Sequence, residues 1–112
     1  MIVTTTPEIQ GRTVTAYLGI IAGDAVLGGV AVGDRMADLL DVIGGRTTAY
    51  VRALAEARRL ALEVLEERAA DLAADAVVAV HLEERLVQAD QKTMVMVSAY
   101  GTAVKLTAPG GG

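Results

Sequence analysis

The amino-acid sequence predicts an α+β domain of two layers, with one long helix packed on an antiparallel sheet. The stretch from Thr47 to Ala73 lacks Pro and Gly and is built from Ala, Leu, Glu and Arg, all good helix formers. Segments rich in β-branched residues lie on both sides of it. These strands are grouped rather than alternating with helices, which favours a helix laid on an antiparallel sheet.

The elements follow in order. Ile2 to Thr5 is a short β-prone piece closed by Pro7. Thr13 to Gly23 carries Val14, Thr15, Tyr17, Ile20 and Ile21 and is expected to be a strand. Ala25 to Val32 is either a second strand or a bent continuation with a bulge at Gly28 and Gly29. Asp34 to Ile43 spaces Met36, Leu39, Leu40 and Ile43 as a short helix would, with Asp34 as its N-cap. Ala76 to Leu86 opens on a continuous apolar run and then alternates. Val87 to Lys92 is expected to be a turn. Thr93 to Leu106 alternates as a strand, pairing antiparallel with the one before it. Residues 1–106 form one domain, and 107–112 a flexible Gly-rich tail.

The long helix carries more apolar surface than one layer can cover. Around Leu54, a 100° step per residue puts Tyr50, Ala57, Ala61, Leu65, Ala69 and Leu72 within about 60°. Leu60, Val64 and Ala53 widen the arc on one flank; Val51, Leu62 and Ala55 widen it on the other. The arc spans about 200°, against the roughly 100° that a single supporting layer requires. Val51, Leu60 and Val64 are therefore expected at a contact between subunits. Composition agrees: 112 residues are 53% hydrophobic, with a mean hydropathy of +0.43. A domain this small leaves much of its surface in water, so this apolar excess calls for association.

Composition also excludes classes of function. There is no Cys, hence no disulfide, thiolate metal site or cysteine nucleophile. A net charge of −4 gives no electrostatic reason to bind nucleic acid or an anionic membrane surface. The longest charge-free stretches, Thr13–Gly23 and Thr93–Val104, fall short of the roughly 20 apolar residues of a spanning helix. Met1 to Pro7 lacks the basic and apolar regions of a signal peptide, so a soluble, cytoplasmic, non-secreted protein is expected.

Candidate sites are few. His81 is the only His and shares a strand face with Glu83, which makes this pair the sole metal-ligand candidate. A soft heavy metal would be poorly served by these donors. Gly45, Arg46 and Thr47 precede or open the long helix, where backbone N–H groups attract small anions. Arg58 and Arg68 lie about 40° from the centre of the apolar stripe. A buried Arg must be paired, so Asp24, Asp41 or Asp75 is expected beside them, with Arg58 at an assembly contact. Asp34, Asp38 and Asp41 lack a nucleophile to serve, and the glycines from Gly23 to Gly33 do not form a dinucleotide-binding pattern. Met94 and Met96 are expected to fill the core. No catalytic residue, enzymatic activity or cofactor is expected.

An ordered set of landmarks resembles the YbjQ-like family of small bacterial and archaeal proteins, which carry a heavy-metal-binding label. They are Thr4-Thr5-Thr6-Pro7, Tyr17 with Gly19, Gly23-Asp24-Ala25-Val26-Leu27-Gly28, and Asp41-Val42-Ile43-Gly44-Gly45-Arg46 with Tyr50. Ala57-Arg58, Ala74-Asp75-Ala76-Val77-Val78 and Gly101-Thr102-Ala103-Val104 complete the set, which runs from residue 4 to 104. The resemblance implies a dodecin-like subunit assembling as a homopentameric ring, without supplying a function. Family members usually carry Gly where this chain has Ala74, and often where it has Ala79, so a different helix exit is expected. The apolar flank with Val51, Ala53, Ala55 and Val64 fits a second interface, natural or designed. In that case a second protein component, or a larger symmetric cage, would be a partner beside the chain itself.

Overall fold

The computed structural model describes residues 1–27, 46–89 and 92–109. The expected short helix at Asp34–Ile43 and the glycine bulge at Gly28 and Gly29 lie outside them. Four strands and one helix follow in the order β1 (Ile2–Val3), β2 (Val14–Leu27), α1 (Arg46–Asp71), β3 (Ala76–Ala89) and β4 (Lys92–Leu106). The sheet order is β1-β3-β4-β2, with α1 against one face.

The sheet is mixed rather than antiparallel, which corrects the expectation. β4 runs antiparallel to β2 and to β3, but β1 joins β3 in parallel, Ile2 facing Ala76 and Val3 facing Val77. A two-residue strand is too short for alternation to reveal its direction. Its pairing partner lies beyond β2 and the helix, and this long crossover is what permits a parallel neighbour.

β2 is one strand through Asp24 to Leu27, with irregularities between Val14 and Ala16 and between Tyr17 and Gly19. Both irregularities fall in the first half of the strand. β3 continues through Val87 to Ala89, where a turn is expected from polarity, and Ala89 faces Lys92 across the hairpin. The strands thus take up Val87–Ala89 and Lys92 of the expected turn.

Two clusters hold the layers together. Ala53, Ala57, Ala61, Leu65 and Ala69 repeat every fourth residue and form the buried line of α1. They meet Ala25, Val77, Val80, Val95, Val97 and Ala99 of the sheet. Small residues let the backbones approach closely: a Cβ added at Gly23 would collide with Ala61 O and Leu65 N. On the other face Ala76, Val78, Val104 and Leu106 pack with Ile9 and Val14. Arg12 Nε donates to Thr107 O at 2.8 Å, and Thr107 N donates to Thr13 O at 2.9 Å. The fold's contacts therefore run one residue into the expected tail.

The core is made by Val95 and Val97, not by Met94 and Met96. Alternation puts the two methionines on the helix-free face, where they are half-buried. Leu72, expected on the buried stripe, falls beyond the helix end and is exposed. No helix among the described residues is long and apolar enough to cross a membrane.

Candidate functional site

The helix-free face of the sheet carries the His81–Glu83 pair and the side chains that register sets around it. The hairpin register sets His81 opposite Tyr100, Glu83 opposite Ser98 and Arg85 opposite Met96. On the far side of β4, Asp24 faces Ser98 and Val26 faces Met96. Side chains alternate along each strand, so these residues share one face. The His81 and Tyr100 rings lie tilted, with centroids 5.1 Å apart. His81 Nε2 stands 4.0 Å from Glu83 Oε1. Burial, with Glu83 beside it, raises the Tyr100 phenol above its ordinary pKa. Among the described residues no three His, Asp or Glu side chains converge closely enough to hold a metal ion.

The other expected positions fall elsewhere. Gly45 lies outside the described residues, while Arg46 and Thr47 form the first turn of α1. On the helix, Val51 is 57% exposed, whereas Leu60 and Val64 are half-buried. Arg58 pairs across the layers with Glu84 of β3 and is partly exposed. This corrects its expected partner: Asp24 is exposed on the opposite face, Asp41 is outside the described residues, and Asp75 Oδ2 accepts from Leu106 N at 2.8 Å. Glu84 lies opposite the core residue Val97, on the helix side of β3, a placement set by strand register rather than by spacing along the chain. The hydrogen bond from Arg58 holds the Glu84 carboxylate below its ordinary range. Arg68 is exposed and has no ion-pair partner among the described residues.

This surface also exposes large apolar side chains. Tyr17 is 74% and Ile20 85% exposed on β2, and Val26 and Val87 are exposed on the same face, while Leu86, opposite Val95, is exposed on the helix side. The pairing of Tyr100 with His81 was also missed. It becomes legible once Ala89 is set opposite Lys92, because that register alone carries His81 to Tyr100.

Fold and surface together define a small α+β domain, one helix on a mixed four-stranded sheet. The family model described as "Putative heavy-metal-binding" matches residues 1–107, and the chain belongs to this YbjQ-like family. It is 47% identical over 106 residues to a UPF0145 protein of Halalkalibacterium halodurans, covering 95% of this chain and 96% of that one. Its fold is similar to a protein of unknown function, of the DUF74 family, from Pediococcus pentosaceus. That match has a TM-score of 0.64 at 16% identity and covers 96% of this chain and 98% of the other.

Proposed function

We propose that the chain is the subunit of a cytoplasmic homopentameric ring and serves as a non-enzymatic structural or binding protein. The carrying observation is the exposure of Tyr17, Ile20 and Val26 along one strand. Apolar side chains left in water at this density favour association. The radius of gyration supports the same reading: 17.5 Å, against about 13 Å for a compact domain of roughly 100 residues. Five-fold closure rests on the family resemblance. With Val51 exposed on the helix, such a ring has a further surface for a second protein component, natural or designed, within a larger symmetric cage.

Native mass spectrometry of the purified chain tests this. The expected result is a species of five times the 11.6 kDa subunit mass. A mass of one subunit at micromolar concentration overturns the ring, and a far heavier particle supports the cage.

A second reading draws on the His81–Glu83 pair: metal binding at sites completed between subunits. Elemental analysis of protein purified without an affinity tag is expected to find metal in stoichiometric amount if that reading holds. Metal-free protein after dialysis against divalent transition ions sinks it.

A further inference from the structure

Both long edges of the sheet lack a strand partner among the described residues. β2 is the last strand on one side. On the other, β1 covers only Ala76 and Val77, and the chain behind it reaches Val80 through Val80 N to Thr4 O at 3.0 Å. From His81 to Ala89 the outer side of β3 has no ladder among the described residues. A row of unpaired backbone N–H and C=O groups is a template for another strand.

The direction of the strands decides which second copy fits. β4 is antiparallel to both neighbours, so β2 and β3 run the same way. Two copies placed side by side in one orientation would align β2 of the first parallel to β3 of the second. Each copy then presents its other edge onward, and such head-to-tail contacts make a ring when the rotation between copies closes. A two-fold pair would instead join β2 to β2 or β3 to β3 and leave the other edge bare.

Charge sorts the edges in the same sense. Asp24 is the only charged residue of β2, is exposed, and has no ion-pair partner among the described residues. Arg85, on the free part of β3, is exposed and likewise without such a partner. Both lie on the helix-free face. Within one sheet Asp24 is level with Glu83, because both oppose Ser98. An unshifted continuation would therefore set two acids together. A shift by two residues replaces Glu83 with Arg85, and closing a sheet on itself demands a stagger of register.

We propose that β2 pairs in parallel with the His81–Ala89 edge of β3 in the neighbouring copy, and that Asp24 against Arg85 of that copy fixes the register. The inference rests on the ring assembly proposed above and names the edges that build it.

The chain has no Cys, so an introduced pair is a clean probe. Neighbouring strands lie about 4.8 Å apart, within the Cα range of a disulfide. The double variant Asp24→Cys with Arg85→Cys, treated with diamide, is expected to give a ladder of covalent multimers on a non-reducing denaturing gel. Neither single variant should cross-link. In a separate arm, Asp24→Arg and Arg85→Asp should each deplete the assembled species, and their combination should restore it. A covalent dimer from Asp24→Cys alone overturns the proposal in favour of two-fold pairing. An intact ring whose double-cysteine form stays monomeric on the gel overturns the pairing but not the ring. A wild-type chain with the mass of one subunit overturns both.

Discussion

Two alanines occupy backbone conformations that side chains resist. Ala73 has φ 57° and ends α1: Ala74 N donates to Ala69 O at 3.0 Å and Ala73 N to Ala70 O at 2.9 Å. These are the two bonds of a Schellman cap, in which glycine is the common left-handed residue. The helix exit is thus a familiar one, completed by an unusual residue one position before Ala74. Ala79 has φ 53° at the irregularity between Val78 and His81, where Ala79 N donates to Thr6 O at 2.9 Å. The left-handed region crowds Cβ against the following carbonyl. Ala73→Gly and Ala79→Gly are each expected to raise stability by about 1 kcal/mol, read as a higher urea midpoint at unchanged slope. Unchanged midpoints would mean that glycine's extra freedom in the unfolded chain cancels the relief.

At the scale of elements, the contact of α1 with β2 depends on an absent side chain. Gly23→Ala would press a methyl group into the helix backbone at Ala61 and Leu65. Overpacking of this kind typically costs about 1–3 kcal/mol, so thermal unfolding should shift down by several degrees. The ion pair of Arg58 with Glu84 links α1 to β3 and titrates in one direction. The folded carboxylate is held low, so its stabilising share is present above the ordinary carboxylate range and is lost as pH falls through it. Wild type should therefore lose more stability than Glu84→Gln between neutral pH and about pH 3. Equal losses would show that the pair contributes nothing measurable.

These elements differ in how far the sequence revealed them. Helix α1 and the β3–β4 hairpin were legible because periodicity and propensity agree over many residues. β1 was read as a strand, but not its parallel pairing, since two residues carry no register. The Arg58 partner escaped because cross-layer contacts follow from packing, not from spacing along the chain. His81 and Glu83 share a face as alternation requires, yet alternation is silent on whether further ligands join them.

At the scale of the molecule, the described residues form a slab of 57 × 22 × 16 Å, with exposed apolar groups along the edge strand. Ile20 would gain most from being covered, and full burial of such a side chain is worth about 2 kcal/mol. Ile20→Ala is expected to weaken each subunit contact by about that amount, moving dissociation to protein concentrations roughly 30-fold higher. Dilution series followed by mass photometry or light scattering would detect the shift.

The chain has no Trp and no Phe, and only three Tyr. Tyr17 stands in water on the edge strand, while Tyr100 lies beside an imidazole on the helix-free face. Two of the three thus sit in contrasting surroundings. Emission from Tyr17 should respond when copies meet, so the polypeptide carries its own optical reporter of docking.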